Sequence, residues 1–181
     1  MHTYISILRG INVSGHKMIK MDALRKMFGD LNFKNVKTYI QSGNVIFEDK
    51  TTDHKDLEQR IEKQILQNFG FNVPVMVKDK NELKSVLKNN PFLHQRSEDI
   101  NKLHITFLSG EFGPADVEKI RQGQYEADEF IISGKVIYLF CPNGYGRTKL
   151  TNNFFENKLK VVATTRNWKT LNELINMAEA G

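Results

Sequence analysis

One nine-residue pattern occurs twice in the chain and limits the folds that it can adopt. The stretch YIQSGNVIF, residues 39–47, recurs as FIISGKVIY, residues 130–138, with Ser-Gly, Val and Ile in the same places 91 positions later. In each copy, β-branched and aromatic residues flank a Ser-Gly turn, which predicts a β-hairpin. Because the copies share one spacing, the pattern indicates an internal repeat larger than the hairpin.

The elements around the first hairpin follow a familiar order. TYISILR, residues 3–9, is apolar and β-branched and predicts a strand, whereas KMDALRKMFGDL has apolar residues at helical spacing. After the hairpin, HKDLEQRIEKQILQNFG predicts an amphipathic helix and VPVMVK predicts another strand. The resulting order, β-α-β-β-α-β, is typical of ferredoxin-like folds.

The same order begins again in the second half of the chain. LHITFLSG, residues 103–110, resembles the first strand, and PADVEKIRQ predicts the matching helix before the second hairpin. We therefore predict an α+β fold of two tandem ferredoxin-like repeats, residues 1–90 and 91–181, with antiparallel sheets and helices packed on them. The two repeats are expected to form one globular unit.

The composition of the chain limits the cellular compartment that we expect for the protein. The chain has 181 residues, of which 40% are hydrophobic, so it can bury a core and has no bias towards disorder. The single cysteine, Cys141, excludes an internal disulfide, suits a reducing cytosol and is expected to be a buried small hydrophobe. The apolar run that ends at Arg9 is too short for a signal peptide or a membrane span. We expect a cytoplasmic protein with no membrane partner.

Strand order predicts that two polar loops of the first repeat meet. In a β-α-β-β-α-β sheet the first two strands are parallel and the third lies between them, so RGINVSGHK, residues 9–17, and the turn QSGN, residues 41–44, share one edge. Donor side chains there, and backbone amides that glycine leaves accessible, could bind an oxyanion. Alternatively, they could donate hydrogen bonds only to the carbonyl groups of the loops themselves. The predicted ligand-binding residues of these loops are Arg9, Gly10, Asn12, Gly15, Lys17, Gln41, Ser42, Gly43 and Asn44.

Two corners near the C-terminus add candidates for the same ligand. Arg147 and Lys149 precede a predicted helix that Thr151 or Asn152 could cap, which is a favourable place for an anion. The segment TTRNW forms another strand-to-helix corner, although capping and packing alone also account for such residues. The further predicted ligand-binding residues are Arg147, Lys149, Asn152, Arg166, Asn167 and Trp168.

The other reactive residues form no known catalytic or metal-binding motif. The five histidines include no i, i+4 pair and no HExxH motif, so we predict no metal site and no cofactor. The sequence leaves open only a metal site whose ligands are dispersed along the chain. Ser42 lies in a sharp turn but without the GxSxG motif of a nucleophile elbow. No residue stands out as a general base or a nucleophile.

Four separated motifs together resemble the bacterial family called domain of unknown function 1697. They are RGINVSG with KMDALRKMF, TYIQSGNVIF, RTKLTNNFFENKL and ATTRNWKTL. The resemblance spans nearly the whole chain and implies an α+β fold of two ferredoxin-like halves, but no activity. The chain has Ser14 where the family usually has glycine. The residues at the family's motif positions are Arg9, Gly10, Asn12, Gln41, Ser42, Gly43, Asn44, Lys149, Thr151, Asn152, Arg166, Asn167 and Trp168.

Two functional hypotheses remain. A formal net charge of +5 favours anionic partners, so the first is a binding module for a small phosphate-bearing ligand or for nucleic acid. The strands lack the aromatic signature of RRM domains, which disfavours an RRM-like mode of RNA binding. The alternative is a small enzyme in which Arg9 or Lys149 clamps an anionic substrate. Whether the chain is an enzyme is left open by the sequence.

Overall fold

Two four-stranded antiparallel sheets form the framework of the computed structural model, which describes residues 1–180. The first sheet contains β1 (His2–Leu8), β2 (Lys34–Tyr39), β3 (Asn44–Asp49) and β4 (Val75–Asp79). The second contains β5 (Leu103–Leu108), β6 (Glu129–Ser133), β7 (Val136–Phe140) and β8 (Ala163–Asn167). The strand orders, β2-β3-β1-β4 and β6-β7-β5-β8, are the same. The predicted α+β class with antiparallel sheets is confirmed.

Helices connect and flank the strands. Within the described residues, no helix is both long enough and apolar enough to cross a membrane. The helices are α1 (Met21–Asp30), α2 (His54–Phe69), α3 (Lys80–Lys88), α4 (Pro91–Arg96), α5 (Pro114–Arg121), α6 (Asn152–Leu159) and α7 (Trp168–Glu179), with 3₁₀ turns at Ile100–Lys102 and Tyr145–Arg147.

The chain divides into two compact units. The first holds Met1–Ser85 together with the chain from Asn172 onward, and the second holds Val86–Leu171. Both boundaries fall inside helices, in α3 and in α7. The repeats predicted from the sequence, residues 1–90 and 91–181, are a different division and stay a prediction. In the structure the end of α7 packs with the first unit.

The first unit is built around β1, which is buried along most of its length. β1 pairs with β3 on one side and with β4 on the other. Tyr4 and Leu8 belong to the apolar cluster that includes Phe28 of α1 and Ile61 of α2. Because side chains alternate along a strand, Ile5 and Ile7 point to the opposite face, where they are also fully buried. β1 is therefore an inner strand that is buried on both faces, and β3 lies between β1 and β2, as the sequence pattern predicts.

Two glutamates of α2 accept hydrogen bonds from backbone amides of β4, which is an edge strand of the first sheet. Glu62 Oε1 accepts a hydrogen bond from the Val75 amide at 2.8 Å, and Glu58 Oε1 accepts one from the Val77 amide at 2.9 Å. An unpaired edge strand such as β4 would otherwise present free amides to another chain. Burial raises the pKa of Glu58, although its hydrogen bond from Val77 counteracts this effect.

The second unit has its own core, which contains the cysteine. Cys141 is fully buried and clusters with Leu108, Ile137 and Phe155. Burial raises the pKa of its thiol to about 11, with the charge of Asp128 acting in the same direction. The thiol stays protonated at neutral pH and packs as a small apolar group, in agreement with the sequence-based prediction.

His104 of β5 is half-buried, and its Nδ1 has no hydrogen-bond partner among the described residues. Its ring stacks on Tyr145 at 4.8 Å between centroids. Burial lowers the pKa of His104 from its ordinary value of 6.5. A histidine with a lowered folded-state pKa takes up its proton more readily in the unfolded chain, so acidification favours unfolding.

We predict that the free energy of unfolding falls as the pH drops from 7 through about 6.5, and that His104→Phe reduces this fall. Phenylalanine keeps the contact with Tyr145 but cannot be protonated. Urea unfolding at pH 7 and pH 5 measures the effect, with the exposed His16→Phe as the matched control. An unchanged pH dependence in His104→Phe, or an equal change in His16→Phe, would contradict it.

Candidate functional site

The loop after β1 and the turn between β2 and β3 lie side by side. The Leu8 amide donates to the Gly43 carbonyl at 2.9 Å, and the next amide, of Arg9, donates to the Pro74 carbonyl at 2.9 Å. β1 and β2 are both antiparallel to β3, so they are parallel to each other with β3 between them. The structure therefore brings together the two loops that the sequence places at one edge.

The loop after β1 is a miniature hairpin rather than an open glycine-rich cradle. Val13 pairs with His16, whose amide donates to the Val13 carbonyl at 2.9 Å. Ser14 and Gly15 both have positive φ, 50° and 76°, as a type I′ turn requires. The turn alone thus accounts for Gly15, which the sequence analysis had assigned to ligand approach.

The side chain of Asn12 joins this hairpin to the neighbouring turn. Its Nδ2 donates to the Gln41 carbonyl at 2.8 Å and to the Ile19 carbonyl at 3.0 Å, while its Oδ1 accepts from the Ile19 amide at 2.8 Å. An asparagine amide has only two N–H donors, and both are used here. Asn12 therefore holds the two loops together; we call these three bonds the Asn12 clasp.

Asn44 and Gly43 also serve the turn itself. Asn44 is fully buried and donates from Nδ2 to the Tyr39 carbonyl and to Ser42 Oγ, each at 3.0 Å. Gly43 has a φ of 83°, and a Cβ placed on it would lie 2.7 Å from Ile11 Cδ1. Close packing, rather than ligand approach, explains this glycine. Gly10 also has a positive φ, 72°, but open space surrounds it.

The remaining loop residues present charge and apolar surface outwards. Lys17 is exposed, with its Nζ 2.6 Å from the Asn72 carbonyl, while Arg9 at the end of β1 is partly buried. Val13, Met18 and Ile40 are 57%, 63% and 47% exposed. The two loops thus expose three large apolar side chains as well as cations.

Ile40 adopts a backbone conformation that is rare for its type. Its φ is 50°, and β-branched residues seldom occupy the left-handed region. Asn12, Ser14 and Lys17 in the adjacent hairpin also have positive φ. Strained residues of this kind persist only where the surrounding structure enforces them, and they concentrate at functional sites.

The C-terminal candidates lie in the second unit and mostly have structural partners. Asn167 caps α7 by accepting from the Thr170 amide at 2.8 Å. Asn152 accepts a hydrogen bond from Thr165 at 2.6 Å. Arg166 is buried and donates to the Thr165 carbonyl at 2.9 Å. Capping and packing therefore account for these residues, and Trp168 is partly buried at the start of α7.

Arg147 and Lys149 are the exposed cations of the C-terminal group. Lys149 Nζ lies 3.4 Å from Glu126 Oε1 and borders an open cavity of about 460 Å³ that Tyr125 and Asp128 also line. The neighbouring carboxylates make this cavity a poor place for an anion. The first unit, not this corner, thus offers the better surface for the predicted ligand.

One cluster in the first unit was missed by the sequence analysis. His54, Asp79 and Glu82 bring one potential metal-binding atom each to within 4.8 Å of one another. In the sequence, Glu82 follows Asp79 by three residues, a spacing that predicts a helix cap but not a metal site. Nothing in the sequence connects His54 to that cap, because only the fold brings α2 next to the end of β4.

We expect Asn12→Ala to lower the free energy of unfolding by about 1–3 kcal/mol, since it leaves three backbone groups without their clasp. Asn35→Ala is the matched control, because Asn35 is exposed and also has a positive φ, 49°. Urea denaturation measures both. Equal losses in the two variants would show that backbone strain, and not the clasp, is responsible.

Gly43→Ala should lower stability by roughly 3 kcal/mol, because it combines a left-handed backbone with steric overlap. Gly10→Ala has the same kind of backbone but open surroundings, and about 1 kcal/mol is expected. Thermal or urea unfolding distinguishes them. A Gly10→Ala loss as large as that of Gly43→Ala would mean that packing around Gly43 contributes nothing.

Comparisons with known proteins support the fold and the family. A model of the family described as protein of unknown function (DUF1697) matches residues 1–138. The structure of the conserved bacterial protein SP0830 from Streptococcus pneumoniae is similar, with a TM-score of 0.76 and 21% sequence identity over 98% of each chain. At that identity the likeness shows the fold alone. No curated protein matches the sequence. The match over most of the chain shows that this protein belongs to the DUF1697 family.

Proposed function

We propose that this protein is a binding module that holds a nucleic-acid strand against the two loops of its first unit. The binding surface consists of residues 9–20 and 40–43 and is called the loop surface below. The Asn12 clasp carries the proposal, because its bond to Gln41 fixes two separate loops relative to each other. A surface that is already rigid loses little conformational entropy when a ligand binds.

The charge of the loop surface supports an anionic partner. Arg9, Lys17 and Lys20 contribute three cations. The sequence has no carboxylate between Arg9 and Lys20 or between Ile40 and Gly43. Cations without interspersed carboxylates attract phosphates and increase the rate of encounter.

The combination of apolar and cationic side chains on the loop surface favours a polymer over a small anion. Small ligands usually bind in a concave site that buries most of their surface. The cavities of about 380 and 460 Å³ are lined by other residues. Exposed Val13, Met18 and Ile40 provide apolar contacts of a kind that bases or sugars could use. A nucleic-acid strand would place its phosphates beside the lysines and its bases on the apolar side chains. It would thereby use both the charge and the apolar area of the loop surface.

The backbone strain supports the same conclusion. Four non-glycine residues with positive φ lie in the two loops, and each such conformation costs on the order of 1 kcal/mol. The clasp and the buried Asn44 keep these conformations in place, as expected of a surface selected for recognition.

Binding of a labelled single-stranded oligonucleotide, measured by fluorescence anisotropy, tests the proposal. We expect affinity to fall steeply between about 50 and 200 mM salt, since each phosphate contact releases counterions. Lys20→Gln should weaken binding several-fold for all sequences and lower the salt slope by about 1. Lys50→Gln is the matched control, because Lys50 is exposed and follows the opposite end of β3.

No binding at low salt would overturn the proposal, and so would equal effects of Lys20→Gln and Lys50→Gln. Titration with inorganic phosphate or with ATP under the same conditions separates the small-ligand alternative. Saturable binding of either, with little dependence on salt and no binding of the oligonucleotide, would replace nucleic acid by a small anion as the ligand.

We also propose that the two units are copies of one ferredoxin-like repeat. Corresponding hydrogen bonds support this. The Arg9 amide after β1 donates to the Pro74 carbonyl before β4 at 2.9 Å, and the Ser109 amide after β5 donates to the Val162 carbonyl before β8 at 3.0 Å. In each unit a helix glutamate also accepts from the first amide of the last strand, as Glu156 does from Ala163 at 3.0 Å. The loop after β1, residues 9–20, is longer than the loop after β5, residues 109–113, and then marks the copy that acquired the binding surface.

A further inference from the structure

We propose that the first unit binds a divalent transition-metal ion between His54, Asp79 and Glu82. The three residues come from separate elements: His54 begins α2, Asp79 ends β4, and Glu82 lies in the first turn of α3. Their donor atoms all lie within 4.8 Å of one another. This site is independent of the loop surface and uses none of its residues.

The two carboxylates are held in place by reciprocal hydrogen bonds. Asp79 Oδ1 accepts from the Glu82 amide at 2.8 Å, and Glu82 Oε2 accepts from the Asp79 amide at 2.9 Å. This arrangement is a capping box for α3. Carboxylates that bind metals are commonly oriented by such additional hydrogen bonds, which lower the entropy lost on binding. The helix cap therefore also orients both acidic ligands.

His54 is positioned to complete the set. Its Nδ1 lies 3.6 Å from Glu82 Oε2, and its ring packs edge-on against Tyr4 at 5.5 Å. Nitrogen and oxygen ligands that each lie about 2.0–2.2 Å from one ion are themselves roughly 3–4 Å apart. The spacing of imidazole and carboxylate thus suits a shared ion.

The surroundings favour a metal with an open coordination position. A cavity of about 380 Å³ is lined by His54 and Asp79, and also by His2 and Tyr4. Two of the three ligands therefore border open space, which leaves room for water or a substrate atom as a further ligand. One imidazole with two carboxylates suits Zn²⁺, Mn²⁺ or Fe²⁺ better than the all-oxygen sites of Mg²⁺ and Ca²⁺.

Lys78 competes with an ion for Glu82. Lys78 Nζ lies 3.9 Å from Glu82 Oε1, in a long ion pair at a partly exposed position. Such pairs contribute about 0–1 kcal/mol, so a divalent ion can displace the ammonium group at little cost. In the capping bonds one oxygen of each carboxylate accepts from a backbone amide, which leaves further lone pairs of Asp79 and Glu82 for a bound ion.

Calorimetric titration of the chelator-treated full chain with Zn²⁺ or Mn²⁺ tests the site. We expect one ion per chain, with affinity lowered at least about tenfold in His54→Gln and in Asp79→Asn. Asparagine keeps the oxygen that caps α3, so the fold should be retained, as circular dichroism can verify. Asp53→Asn is the matched control, because Asp53 caps α2 next to His54 and loses the same charge.

A second measurement does not depend on any variant. Mn²⁺ is paramagnetic, and in the unmodified protein it should broaden the NMR signals of His54 and Tyr4 more strongly than those of His16, which lies in the loop beyond the other end of β1. Absence of binding, equal weakening in Asp53→Asn, or equal broadening of His54 and His16 would overturn the proposal. Selective broadening together with weakened binding in His54→Gln would support it.

Discussion

The position of β1 in the middle of its sheet determines where both candidate sites lie. Because β1 pairs with β3 and β4, the residues at its two ends are fixed against four other segments of the first unit. At its C-terminal end, Leu8 and Arg9 bond to Gly43 and Pro74, which aligns the loop surface. Near its N-terminal end, Tyr4 lies opposite Asp79 and against His54. A shift of β1 by one residue would exchange its two buried faces and disrupt both sites.

The strand order and the meeting of the two polar loops follow from the sequence. The hairpin pattern and the helical spacing of KMDALRKMF leave few ways to connect the first three strands, since a crossover between parallel strands is right-handed. The repeated hairpin then indicates the same order for the second sheet, as the structure shows. These features depend on backbone connectivity, which local patterns describe well.

The roles of individual polar residues could not be predicted in the same way. Asn12 and Asn44 are suited equally to ligand binding and to satisfying loop carbonyls, and only the positions of Gln41, Tyr39 and Ile19 decide between the two. The hairpin at Ser14 could not be predicted from the sequence, because serine rarely adopts the positive φ that this turn requires. His54 is separated from Asp79 by most of α2 and β4, so its proximity depends on tertiary packing alone.

The two sites are far enough apart to act as independent features of one rigid element. β1 has seven residues, and at about 3.4 Å per residue it spans roughly 20 Å. Effects of substitutions separated by more than about 10 Å usually add. Loss of metal binding should therefore leave the loop surface intact, and loss of nucleic-acid binding should leave the metal cluster intact. If the two were found to be coupled, the coupling would have to pass through β1 and its register with β3 and β4, because these are the elements that the two sites share.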